Sequence, residues 1–157
     1  MKNAPLMKDK DNYRQERAEI KYFNPKYVQN AQAFTGRRRR GDPYRTNITA
    51  TLIKPWGNNV TVEFSYRAKG MPSAITISVK ICDVIKRKWM MDFMKTYSDV
   101  KLYCPVPAGT YRVDNIELPP KNFPLPIPKG DIHINITHYM TQTKEVVMHT
   151  TLLMHTV

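Results

Sequence analysis

Apolar and polar residues alternate along much of this chain with a period of two, as they do in strands that bury one face. Ile48, Ala50 and Leu52 share one face, and Asn47, Thr49 and Thr51 the other. Beyond the turn Pro55-Trp56-Gly57-Asn58, Val60, Val62, Phe64 and Tyr66 alternate with Asn59, Thr61, Glu63 and Ser65, so the two runs together predict a hairpin. Ile75, Ile77, Val79 and Ile81 repeat the pattern, with Thr76, Ser78 and Lys80 outward. Farther on, Ile132, Ile134 and Ile136 alternate with His133, Asn135 and Thr137, and Val146, Met148, Leu152 and Met154 form a last apolar face. Residues 19–23 and 27–35 carry weaker strand signals.

The period changes once. Ile85, Trp89, Phe93 and Tyr97 recur every fourth residue with Met90 and Met94 beside them, which predicts one helix over residues 83–97 with Asp83 as its cap. From Thr110 the inward parity is odd (Tyr111, Val113), but by Ile116 and Leu118 it is even, so a bulge is expected near Asp114-Asn115. The segment from Leu118 to Gly130 contains too many prolines, which lack the ladder donor, to be a central strand, and reads as an extended crossover. Residues 1–18 are charged and poor in apolar side chains. They are expected to form a flexible basic arm ahead of a single β-sandwich domain at 19–157. The predicted fold class is mainly β: an antiparallel sandwich or cup of seven to eight strands with one helix.

With 157 residues, one core is sufficient. Lysine and arginine number 25 against 13 acidic residues, a formal charge of +12 that steers anionic partners without choosing among nucleic acid, acidic lipid and sulfated glycan. The cysteines, Cys82 and Cys104, flank the predicted helix; they are either buried thiols or a bridge that would pin that helix to the β framework. Asn47-Ile48-Thr49, Asn59-Val60-Thr61 and Asn135-Ile136-Thr137 are glycosylation sequons whose asparagines are predicted on polar strand faces. They favour a secreted, extracellular protein. The first twenty residues hold no apolar run like a signal peptide, and no stretch approaches the roughly 18 apolar residues of a membrane span.

One ordered set of residues resembles a known family. Ile81-Cys82, Cys104-Pro105, Gly109-Thr110-Tyr111, Leu125-Pro126 and Pro128-Lys129-Gly130 follow one another as in a secreted insect family of unknown function. That family is related to the chemosensory CheB proteins and, more remotely, to the ganglioside activator, which has an ML-type lipid-recognition cup. The resemblance runs from about Arg40 to Tyr139. It implies two sheets splayed around an apolar cavity, and a setting in chemosensation. It also implies a Cys82–Cys104 disulfide, stabilising by about 3 kcal/mol on the chain-entropy model. Having two cysteines, the chain departs from the several bridges of the ganglioside activator.

Other motifs admit plainer readings. Arg37-Arg38-Arg39-Arg40-Gly41-Asp42 is a processing site, an integrin-type loop, a basic contact for phosphate or sulfate or, most simply, a solvated turn. Lys86-Arg87-Lys88-Trp89 could dock on an anionic membrane surface, but helical spacing turns Trp89 toward the sheet, so a nucleic-acid partner is not expected. Met90, Met91, Met94, Met140, Met148 and Met154 suit either an adaptable pocket or an ordinary core. His133, His138, His149 and His155 lack tight metal spacing, and no nucleophile elbow, phosphate loop or His-Glu motif is present. The expectation is a non-enzyme with no catalytic residues, metal or cofactor. It would sequester a lipid or other apolar small molecule between Val62, Phe64, Ile77, Val79, Phe93, Ile134, Ile136 and Met148. The alternative is an interaction module with a filled core whose basic loop engages a receptor or acidic glycan.

Overall fold

Eight strands form two antiparallel sheets in the computed structural model, which describes residues 13–156. They are β1 (Tyr13–Phe23), β2 (Val28–Gly36), β3 (Arg45–Leu52), β4 (Val60–Ala68), β5 (Ile75–Lys80), β6 (Gly109–Ile116), β7 (Gly130–Met140) and β8 (Val146–Thr156). The larger sheet has the order β1-β8-β7-β4-β5 and the smaller β2-β3-β6. This is the mainly-β class that the alternating pattern implies. Most of the expected arm is residues 1–12, which lie outside the described residues; Tyr13–Ala18, also assigned to it, instead pair with β8.

The expected hairpin between β3 and β4 is not formed. β3 pairs with β2 and β6, and β4 with β5 and β7, so the chain changes sheets across residues 53–59. Alternation fixes which face of a strand is buried but not which strand lies beside it. Here the Trp56 N–H and carbonyl bond to Val106 at 2.9 and 2.8 Å, in place of a facing strand. The bulge in β6 is present: Ile48 faces Val113 while Thr46 faces Ile116, and Asn115 takes a positive φ of 57°. A second register change, between His138 and Tyr139, leaves Val147 fully buried and Val146 exposed, reversing the expectation for Val146.

Helical structure is split. α1 (Ile81–Val84) and α2 (Lys88–Tyr97) replace the single helix, and Asp83 lies inside α1 rather than capping it. The break at residues 85–87 turns the chain while Ile85, Trp89, Met90 and Phe93 still point toward the sheets. Cys82 and Cys104 are joined by a disulfide, so the segment carrying α2 returns to where it left the larger sheet. No helix among the described residues is long and apolar enough to cross a membrane.

The sheets meet along one side, where β1 turns directly into β2. Asn24 N–H donates to Val147 O at 2.8 Å, and the Ile53 N–H to Tyr27 O at 2.9 Å. Deeper in, Gln15 is 6% exposed; its Nε2 donates to Ile116 O at 2.7 Å and its Oε1 accepts from Thr46, tying β1 to β3 and β6. On the opposite side β5 and β6 share no ladder. That gap is crossed by α1, α2 and the crossover at residues 117–129.

Replacing both cysteines by alanine should lower stability by about 3 kcal/mol in urea unfolding, because the unfolded chain regains the entropy of an open loop. A change below about 0.5 kcal/mol would show that the bridge does not constrain the loop.

Candidate ligand cavity

The inward side chains of the two sheets do not meet everywhere. Buried apolar residues fall into two clusters. One surrounds Val28, Leu52, Trp56, Val62, Val84, Trp89 and Val106, and the other Tyr66, Ala68, Ile132 and Met154; the ring of Phe123 touches both. Between them lies a cavity of about 320 Å³, within the usual range for small-molecule sites.

Its walls come from every layer. β4 supplies Val62, Phe64 and Tyr66, β7 Ile132, Ile134, Ile136 and His138, and β8 Met148, Leu152 and Met154. β3 and β6 face them with Ile48, Ala50, Leu52, Tyr111, Val113 and Ile116. Ile81, Val84, Ile85, Trp89, Met90, Phe93 and Met94 close the helical side, and Leu118, Pro119, Pro120, Phe123 and Ile127 of the crossover the remainder. Trp89 stands edge-on to both Phe64 and Phe123, with ring centroids 6.1 and 5.1 Å apart. Phe64, Ile134 and Ile136 sit within paired strands yet are only half-buried, because their inner ends face this space. The filled core of the alternative expectation is therefore absent.

Six of the eight expected lining residues are brought together here: Val62, Phe64, Phe93, Ile134, Ile136 and Met148. Ile77 and Val79 are not. Their inward parity holds, but β5 is the outermost strand of its sheet, and Val79 packs on the neighbouring core cluster instead. Of the methionines, Met90, Met94, Met148 and Met154 reach the wall, Met140 packs behind it and Met91 is 53% exposed.

Polar atoms in the wall are few, and most are spoken for. Thr46 bonds Gln15 and Thr35; Tyr66 Oη donates to Pro126 O at 2.7 Å and Tyr111 Oη to Pro107 O at 2.6 Å. Burial pushes both phenol pKa values up, so the hydroxyls remain protonated donors. Trp56 and His138 differ. Their rings are 4.9 Å apart, and Trp56 Nε1 and His138 Nδ1 are both buried without a hydrogen-bond partner. Desolvation lowers the pKa of His138 to about 4, so the ring is neutral at physiological pH. His138 was legible: it has the same parity as Ile132, Ile134 and Ile136. Trp56 and the crossover residues had no such periodic signal.

Outside the cavity, Arg37 to Arg40 are exposed on the β2–β3 loop, where Arg37 lies 4.8 Å over Tyr44 and Arg39 stands 3.7 Å from Asp42. Lys86, Arg87 and Lys88 are exposed beside buried Trp89, as helical spacing implies. Asn47 and Asn135 lie on outer strand faces, while Asn59 is one residue ahead of β4. In each, Oδ1 is the bonded atom, to Asn115 N–H, Gly57 N–H or His149, and not the Nδ2 to which a glycan is joined.

One family model matches. It is described as a protein of unknown function (DUF1091) and covers residues 59–134, just under half of the chain. The span includes Cys82, Cys104, Gly109-Thr110-Tyr111 and Pro128-Lys129-Gly130. No curated protein matches the chain. Among solved structures, chicken MD-1 complexed with lipid IVa is similar with a TM-score of 0.42 and 13% identity, over 92% of this chain and 96% of that one.

The cavity makes a paired prediction. Both side chains line the cavity, but Ile132 is 1% exposed and Ile136 only half-buried, so Ile132→Ala should cost about 2–5 kcal/mol and Ile136→Ala should fall at or below the lower end of that range. Equal large losses in denaturant unfolding would mean that Ile136 packs as tightly as Ile132.

Proposed function

We propose that the protein is a secreted, non-enzymatic carrier that sequesters a lipid or other apolar small molecule between its sheets. The observation that carries this reading is the inter-sheet cavity with its almost wholly apolar wall. An apolar chain leaving water for such a site gains about 0.8 kcal/mol per buried methylene, so several methylenes hold it without polar recognition. Flexible Met90, Met94, Met148 and Met154 would let the wall adapt to chains of different shape. Entry would lie on the side where β5 and β6 are unpaired, between α2 and the crossover.

Secretion draws support from the Cys82–Cys104 bridge and from the placement of the sequon asparagines Asn47, Asn59 and Asn135. An insect setting and a role in chemosensation rest on the sequence resemblance alone. The exposed Arg37–Arg40 loop and the Lys86–Lys88 patch supply cations for an anionic membrane surface or a receptor at which cargo is exchanged.

Two measurements check the reading. Native mass spectrometry after exposure to mixed fatty acids, long-chain alcohols, sterols and hydrocarbons should show one bound molecule per chain, and Ile136→Ala should shift the preferred chain length upward. No adduct under any loading condition would remove the carrier reading. Separately, protein from a secreting eukaryotic host should lose one glycan's mass with each of Thr49→Ala, Thr61→Ala and Thr137→Ala. Secreted protein without glycan at any of the three would leave the extracellular assignment resting on the disulfide alone.

A further inference from the structure

We infer that the cavity is selective for an apolar molecule carrying one neutral hydroxyl, which is bound at the Trp56–His138 end. This rests on the carrier reading and narrows it to a ligand class. The decisive observation is an imbalance in the wall. Thr46, Tyr66 and Tyr111 have their hydroxyls engaged by protein groups, whereas Trp56 Nε1 and His138 Nδ1, on adjacent rings, have none. Trp56 is 8% exposed, so water is largely denied to its N–H.

A hydroxyl matches this pair better than other groups do. The indole N–H can only donate, while a neutral imidazole has one donor and one acceptor nitrogen. A hydroxyl can therefore accept a hydrogen bond from the Trp56 N–H and donate one to the unprotonated nitrogen of His138. A plain hydrocarbon satisfies neither atom. A carboxylate brings a charge into apolar surroundings where His138 is held neutral, and the cation needed to balance it is lacking among the cavity-lining residues. Both rings line the cavity, so a ligand hydroxyl at this end would meet them once a ring turns its nitrogen toward the space.

The pair also sets the ligand's direction. Trp56 packs with Leu52, Val84, Val106 and Met148 beside the Trp56–Val106 backbone pair, and the His138 ring lies 4.9 Å from it. The hydroxyl would enter first and the hydrocarbon tail would trail toward Phe123 and Ile134. Selectivity would thus reside at the Trp56–His138 end.

The test compares decane, 1-decanol and decanoate as competitors of a fluorescent apolar reporter, with each affinity referred to partition from hydrocarbon so that ordinary water solubility cancels. The expected result is a preference for 1-decanol over decane of at least about tenfold, the size of one hydrogen bond to a buried group that otherwise lacks a partner. Trp56→Phe and His138→Leu should each reduce that preference while decane still binds. The wild-type comparison stands even if either variant fails to fold. Equal referred affinities for decane and 1-decanol would overturn the inference while keeping the carrier reading, and so would tightest binding of decanoate. Failure of the reporter and of all three compounds to bind would overturn both.

Discussion

Two apolar sheet faces in water are driven together, and they stay apart only if something of fixed width stands between them. In this protein that spacer is the helical segment clamped by the Cys82–Cys104 bridge. α1 leaves β5 at its last residue, α2 packs toward β6, and the disulfide returns the chain to its starting point. Two residues after Cys104, Val106 is bonded to Trp56 on the connection between the sheets. The two links stand side by side. They anchor the spacer to the larger sheet and to the crossing between sheets, and the cavity opens beyond them.

The other margin does the opposite. Gln15 ties β1 to β3 and β6 from a buried position, and the Asn24 and Tyr27 backbone groups bind the turn between β1 and β2. Polar groups removed from water must be paired, so this seam fixes the approach of the sheets at one side with little freedom to slide. A closed seam and a propped margin together give a wedge. Its two ends fill with apolar side chains as separate clusters, and its middle does not.

Much of this was legible in the sequence because it follows from local chemistry. The period of two located the strands, the parity switch between Val113 and Ile116 located the bulge, and the prolines ruled out a strand at 118–129. What local pattern could not supply was partnership across the chain. β3 and β4 are individually evident, yet they belong to different sheets because Trp56 bonds Val106, fifty positions away in sequence. Ile77 and Val79 have the same alternation as Val62 and Phe64, and only the strand order shows that β5 lies outside the cavity. The crossover was recognisable as irregular. That Leu118, Phe123 and Ile127 turn back to wall the cavity depends on tertiary packing, which periodicity does not encode.

The central claim is that an apolar ligand lies between the sheets, and isotope-filtered nuclear Overhauser spectroscopy tests it directly. With the isoleucine and methionine methyls labelled and an unlabelled long-chain alcohol bound, the account predicts contacts from the alkyl tail to Ile134, Ile136 and Met148 and none to outward-facing Met91. Contacts to Met91 without any to Ile134, Ile136 or Met148 would place the ligand on the surface and contradict the account.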